Sequence, residues 1–284
     1  MTSWRRPRRD GDVAMVSPRG SPHLSREVTR RGVLAGAVAL PWLVACGPGA
    51  SRQARPDLQG GTLSSRFWPG QQVHWRLARP AVRATPQPLV IALHGQGGDA
   101  DWPFDGLQLE RHVTATGLAL ATVDGGDFYW HARRSGIDTS RMVVEDLLPL
   151  LGRKGLSTDR IGLIGWSMGG YGALLMASRL GPARVAGVVA ASAALWQSYD
   201  EAFSVAFDDR ADFARHDVFA ARPALARLPV RLDCGRDDLF FEANRAFARG
   251  LRSAAVTFDP GGHTEDYWTT HAAAQLTWLG KHLR

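Results

Sequence analysis

The chain of 284 residues is expected to adopt an α/β fold: a mostly parallel central sheet flanked by helices, with a small cap region. Three observations carry that expectation. Short continuous apolar runs recur along the chain, and amphipathic segments alternate with them. A Gly-x-Ser-x-Gly box, Gly165-Trp166-Ser167-Met168-Gly169, joins one apolar run to one helical segment. An aspartate-bearing loop and then a histidine-bearing loop follow it, each just beyond a later apolar run.

The elements follow in order. Val73-His74-Trp75-Arg76-Leu77 alternates apolar and polar residues and reads as a half-buried edge strand. Continuous apolar runs come next, at 89–93, 118–123, 161–164, 185–190, 230–232 and 255–258. Strands buried on both faces read this way, because neither face meets water. Helices are expected at about 106–116, 141–153, 168–180, 240–252 and 264–283. In the second of these, Met142, Val143, Asp146, Leu147 and Leu150 fall near i, i+3, i+4 spacing. Between the strands near 185 and 230 lies a long segment, about 191–228, that could form a small cap. Its aromatics, Trp196, Tyr199, Phe203, Phe207, Phe213 and Phe219, read more as packing than as substrate contacts.

The net charge of +7 is unevenly spread. Residues 1–45 hold eight arginines and three acids, which leaves the remainder close to neutral. A nucleic-acid footprint needs a basic patch on the folded domain, and this distribution predicts none. Residues 1–45 read instead as an export signal. Thr29-Arg30-Arg31-Gly32-Val33-Leu34 is similar to a twin-arginine motif, although Val33 and Ala35 depart from its usual Phe and Lys. The apolar run over 33–45 contains Pro41 and is short of the roughly 20 residues a membrane span needs. It ends in Leu43-Val44-Ala45-Cys46-Gly47, a pattern similar to a bacterial lipobox, in which Cys46 would carry lipid. A plain signal peptide or an uncleaved anchor is the alternative. The expected organisation is therefore a signal over 1–45, a flexible tether over 46–60 and a catalytic domain over 61–284. The protein is expected to be exported in the twin-arginine manner and anchored to the outer face of a bacterial cytoplasmic membrane or cell envelope. Cys234 is then a small buried hydrophobe, unless a Cys46–Cys234 bridge forms.

The box around Ser167 is the sequence form of a sharp strand-to-helix turn. Side chains at Gly165 and Gly169 would crowd a turn tight enough to expose a serine hydroxyl above a sheet. An activated serine needs a base, and the base needs an orienting acid. His263, in Asp259-Pro260-Gly261-Gly262-His263, is the candidate base. Three aspartates compete as the acid in Leu232-Asp233-Cys234-Gly235-Arg236-Asp237-Asp238. Asp233 lies within the strand and is expected to point elsewhere, which leaves Asp237 and Asp238. An oxyanion needs preorganised N–H donors. The backbone amides of Met168 and Gln96 are expected to supply them, the latter from the loop His94-Gly95-Gln96-Gly97-Gly98. His94 precedes the serine and is expected to hold that loop at the substrate site. Tyr129, Trp130 and His131 follow another apolar run and are candidate pocket walls, with loop packing the equal alternative. Neither metal-ligand spacing, a phosphate-cradling loop nor a dinucleotide fingerprint is visible, so no cofactor and no metal is expected.

Taken together, the His-Gly loop at 94–98, Gly165-Trp166-Ser167-Met168-Gly169, Gly235-Arg236-Asp237-Asp238-Leu239-Phe240 and Gly262-His263 resemble the α/β-hydrolase superfamily. The resemblance is to its esterase group, which includes S-formylglutathione hydrolase, feruloyl esterases and the antigen 85 mycolyltransferases, and it spans roughly 85–284. It implies an α/β-hydrolase fold, a Ser167–His263–Asp238 triad and hydrolysis of a carboxylic ester held as a small molecule, lipid or polymer. It selects Asp238 over Asp237, because similar segments supply the acid from their second aspartate. Transfer of the acyl group to a sugar or lipid alcohol is the alternative activity, and a non-catalytic binding lipoprotein is a third. Neither the ester substrate nor the oligomeric state can be read from these residues.

Overall fold

An eight-stranded sheet in the order β1-β2-β4-β3-β5-β6-β7-β8 organises residues 55–82 and 84–284, which are the residues that the computed structural model describes. The strands are β1 (Asp57–Ser65), β2 (Trp68–Arg79), β3 (Gln87–Leu93), β4 (Ala119–Val123), β5 (Leu156–Trp166), β6 (Val185–Ala191), β7 (Val230–Gly235) and β8 (Ala255–Asp259). β1 and β2 form an antiparallel hairpin, and β2 pairs antiparallel with β4. Every other pairing is parallel. The C-terminal ends of β3 to β8 therefore share one edge, where open parallel sheets bind ligands.

The apolar runs have a simple cause. Leu89, Ile91 and Leu93 of β3 enter one core cluster, while Val90 and Ala92 enter the other, on the opposite face. Successive side chains alternate faces, and both faces are covered, so every position must be apolar. The helix Met168–Leu180 covers the first face through Ala173, Leu174, Leu175 and Ala177. The helix Glu265–His282 covers the second through Trp268, Ala272, Leu276 and Leu279. Each fully buried aliphatic side chain contributes about 1.5–3 kcal/mol. Asp233, buried on β7, is matched by Arg231 Nε at 2.9 Å and Gln275 Nε2 at 2.8 Å. It faces away from the strand ends, as expected.

Three expectations need correction. The strand at 73–77 is not an edge, because β1 pairs outside it. Residues 57–60, expected in the tether, belong to that added strand; the rest of the signal and tether, with Cys46, lies outside the described residues, apart from its last few positions. The helix expected at 106–116 is broken into short turns over 102–105, 109–112 and 113–116. Gln108 stands at φ 55, and a left-handed residue cannot continue a right-handed helix.

The cap segment after β6 is short and packed down on the first face. Phe207 meets Tyr171, Trp196 and Phe213 edge-on, with ring centroids 5.8, 5.9 and 5.0 Å apart. Phe219 packs against Phe247. These aromatics are packing residues; Phe203, 45% exposed, packs one side against Trp196 and Phe240 and leaves the other open. A polar bolt joins the cap to the loop after β4. His131 is fully buried, stacks on His216 at 4.1 Å, and has its ring nitrogens 3.0 Å from the carbonyls of Ala132 and Ala206. His216 Nδ1 lies 3.0 Å from Asp212 Oδ1, and Arg133 clasps Asp208. His131, Asp212 and His216 are the one grouping of metal-ligating types among the described residues. Its polar atoms already have partners: Asp212 Oδ2 accepts from Asp208 N–H and Oδ1 from Arg215. The trio is a joint rather than an open coordination site.

Burial, followed by repulsion from His216, pushes the His131 imidazole down from 6.5 to about 4. The folded state thus holds a neutral ring that the unfolded chain would protonate below about 6.5. Stability from this group is complete above that pH and declines as the pH falls toward 4. Denaturant midpoints measured from pH 7 to 4 should fall, and His131→Phe should flatten the decline. An unchanged slope in the variant would show that the bolt does not titrate as described.

Candidate active site

Ser167 ends β5 and opens the helix that follows. Its backbone stands at φ 54 and ψ −118, a conformation costing about 1–3 kcal/mol for a residue with a side chain. Two glycines permit the turn. A Cβ at Gly165 would lie 2.1 Å from the Gly169 carbonyl oxygen, and one at Gly169 would lie 1.9 Å from the Leu93 oxygen. No rotamer relieves a clash with backbone, so the box is a packing requirement. The turn is held by Ser167 N–H donating to Ala191 O at 3.0 Å, and by Ala194 N–H donating to Ser167 O at 3.0 Å. Met168 is the first residue of the helix, so its amide has no intrahelical acceptor.

His263 lies in the loop after β8, and Asp238 in the loop after β7. The sheet brings these two loops together: Asp237 N–H donates to Gly261 O at 2.9 Å. His263 Nδ1 stands 2.9 Å from Asp238 Oδ2, so an Nδ1–H tautomer donates to the carboxylate. Asp238 is buried, while Asp237 is exposed and contributes only its backbone. Burial pushes the Asp238 carboxyl up, but hydrogen bonds from His263, Ser192 and the Phe240 N–H outweigh it and hold it below the usual carboxylate range. Ser192, at φ 48 just beyond β6, accepts from Trp268 Nε1 at 2.8 Å. Sequence reasoning missed both of these supports; the position of Ser192 at a strand end was the available signal. Cys234 is buried and unpaired, and burial together with Asp238 pushes its thiol far up, as a small packing residue rather than a nucleophile.

The loop after β3 is fastened by side chains on all sides. His94 Nε2 accepts from Gly125 N–H at 2.8 Å, and its Nδ1 lies 2.7 Å from Gly95 O. Burial lowers the His94 pKa, consistent with a neutral ring holding one proton on Nδ1. Gly97, at φ 75, donates its N–H to Asp127 Oδ1 at 2.8 Å. Gln96 accepts a hydrogen bond from the Tyr129 hydroxyl through Oε1 at 2.9 Å.

Ser167 and His263 line one cleft with two lobes of about 420 and 450 Å³. Gln96 and Gly97 are common to both lobes. The first lobe is walled by Trp102, Glu265 and Trp268, and the second by Asp127, Tyr129, Phe203, Leu239 and Phe240. Of the expected substrate-contacting residues, only Tyr129 reaches the cleft. Trp130 and His131 are fully buried and are corrected to structural roles, and His94, equally buried, makes no substrate contact but fastens its loop as expected. Trp130 fills the space beside Gly125 and Gly172, where an added Cβ would come within 2.4 and 2.5 Å of it. Trp102, Glu265 and Trp268 were not singled out from the sequence; Glu265 follows His263 by two residues, and the tryptophans gave no distinguishing pattern.

A family model described as "Putative esterase" matches residues 68–279. Esterase NocK of Nocardia uniformis subsp. tsuyamanensis, itself described as putative, is 32% identical over 119 residues, which cover 36% of this chain and 32% of that protein. The matched part is thus about a third of that relative's length. Among solved structures, FphF, a fluorophosphonate-binding serine hydrolase of Staphylococcus aureus, aligns with a TM-score of 0.71 at 18% identity, covering 80% of this chain and 99% of that one. An S-formylglutathione hydrolase from Agrobacterium tumefaciens aligns with a TM-score of 0.71 at 20% identity, covering 81% and 96%. These structures share the α/β-hydrolase fold with the present chain. With residues 68–279, three-quarters of its length, inside the family model's boundaries, the chain belongs to the family described as "Putative esterase".

Proposed function

We propose that the chain is a serine esterase that cleaves carboxylic esters through a Ser167–His263–Asp238 triad. The observation that carries this reading is the 2.9 Å bond between His263 Nδ1 and Asp238 Oδ2, made in the cleft that holds the strained Ser167. Asp238 fixes the tautomer, which leaves Nε2 of His263 unprotonated to accept the serine proton. Ser167 Oγ attacks the ester carbonyl as that proton moves. The backbone amides of Met168 and Gln96 stabilise the oxyanion, the former at the positive end of a helix. His263 then gives its proton to the leaving alcohol, and the ester bond breaks. Water, deprotonated by His263, hydrolyses the acyl-enzyme and restores Ser167.

Water is the proposed acyl acceptor; added glycerol or trehalose would appear in the products if the acyl group passes to an alcohol instead. We also propose that the protein is exported and held at a membrane by lipid on Cys46. Arg30-Arg31, the apolar run over 33–45 and the small residues before Cys46 support this.

Ser167→Ala should lower kcat on short p-nitrophenyl esters by about 10⁶-fold, a loss typical of a removed triad nucleophile, with an unchanged circular dichroism spectrum. Labelling by a fluorophosphonate probe should vanish with it, and retained hydrolysis would reject the mechanism. Asp238→Asn should cost about 10⁴-fold in kcat through the wrong tautomer, whereas Asp237→Asn should stay near wild type; equal losses would reject the choice of acid. Mass spectrometry of the mature protein should find an acylated N-terminal cysteine, and an unmodified Cys46 within an intact chain would refute the anchor.

A further inference from the structure

The cleft has a charge character that the chain as a whole does not. Residues 46–284 carry 26 basic and 24 acidic side chains, nearly in balance, yet no Lys or Arg lines either lobe. Each lobe instead presents one carboxylate, Glu265 in the first and Asp127 in the second. Each is anchored through one oxygen. Glu265 Oε1 accepts from Trp102 Nε1 at 2.6 Å, and Asp127 Oδ1 accepts from Gly97 N–H at 2.8 Å. Both residues are exposed, and neither forms an ion pair among the described residues. Behind them, Asp99 and Asp124 accept backbone N–H groups at Trp102 and Ala100, and they too lack cationic partners among the described residues. Arginine side chains are concentrated instead in a separate pocket under the cap, where Arg133, Arg134, Arg179 and Arg215 gather around Asp208 and Asp212.

From this arrangement we infer that the cleft selects its ester by charge: Glu265 and Asp127 admit neutral or cationic esters and penalise a carboxylate or phosphate on either half of the substrate. The inference rests on the esterase reading, since it concerns the substrate of that same cleft. An ester straddling Ser167 places its acyl part in one lobe and its alcohol part in the other, so each half meets one fixed negative charge. Aromatic side chains beside each carboxylate, Trp102 and Trp268 in one lobe and Tyr129, Phe203 and Phe240 in the other, add apolar lining that offers an anionic group no compensating partner. Partly exposed charges at such separations act through a high effective dielectric, and salt screens them over about 10 Å at 0.1 M. The discrimination should therefore be about ten-fold and should depend on ionic strength.

Matched p-nitrophenyl and alkyl esters provide the test: a neutral parent, a trimethylammonium analogue and a carboxylate analogue, with the charge placed first on the acyl half and then on the alcohol half. At low ionic strength the wild type should show kcat/KM at least about ten-fold higher for the cationic than for the anionic ester in each series. Half-molar salt should narrow the gap. Glu265→Gln should narrow it in one series and Asp127→Asn in the other, each by about three-fold relative to the neutral ester measured on the same variant. That internal ratio separates charge from any change in the hydrogen bonds to Trp102 or Gly97. Equal rates for the two charged esters, a preference for the anionic one, or a gap that neither variant moves would overturn the inference. Failure to hydrolyse the neutral parent would instead refute the esterase reading.

Discussion

The site depends on backbone passing against backbone at the C-terminal edge of the sheet. Gly169 lies against Leu93 O, Gly165 against Gly169 O, and Gly235 against Gly261 O, each at a distance where an added Cβ would come within about 2 Å of a carbonyl. These contacts fix the spacing between the loop after β3, the serine turn and the two loops that carry Asp238 and His263. A side chain at any of them would push a loop outward by more than an ångström. Proton transfer along a hydrogen-bonded line does not tolerate such a displacement. The chemistry of the serine, histidine and aspartate therefore presupposes the three glycines, although none of them takes part in it.

Strain is concentrated at the same edge. Ser167, Ser192, Tyr129 and Trp130 are four of the five non-glycine residues with positive φ among the described residues. Ser167 follows β5, Ser192 follows β6, and Tyr129 and Trp130 lie in the loop after β4. Each such conformation costs about 1–3 kcal/mol and persists only where surrounding contacts hold it. Here the contacts are visible: Trp130 is buried between Gly125 and Gly172, the Tyr129 hydroxyl bonds Gln96, and Ser192 receives Trp268 Nε1. The strained residues thus tie the oxyanion loop, the acid and the serine turn into one rigid unit.

Most of the fold was legible because burial on both faces of a parallel sheet leaves a strong mark on local composition. All six apolar runs became strands, and the helices over 168–180 and 264–283 formed almost as expected. β1 was not legible. Its sequence, Asp-Leu-Gln-Gly-Gly-Thr-Leu-Ser-Ser, lies at an exposed edge, and only its ladder with β2 makes it a strand. Ser167, His263 and Asp238 were legible as candidates because each sits just beyond a strand in a glycine-bearing loop, and the structure pairs His263 with Asp238 beside the cleft that Ser167 lines. The residues that do not reach the cleft, His94, Trp130 and His131, share those strand-end addresses. Their side chains turn inward for reasons set by distant partners: Gly125 for His94, Gly172 for Trp130, His216 and Ala206 for His131. Address along the chain reports which rim a residue joins, whereas direction depends on residues tens of positions away.

The same long-range logic explains the supports of the acid. Asp238 would be costly to bury as an isolated carboxylate, since desolvation opposes its charge. Phe240 N–H and Ser192 approach it apart from the imidazole, and Ser192 is itself oriented by Trp268 Nε1. Trp268 also meets His263 edge-on at 4.9 Å. One tryptophan on the C-terminal helix therefore braces both the acid, through a serine, and the base, through its ring. That helix is docked on the sheet through Ala272, Leu276 and Leu279. Burial of its apolar stripe consequently braces the His263 imidazole, which belongs to a different element.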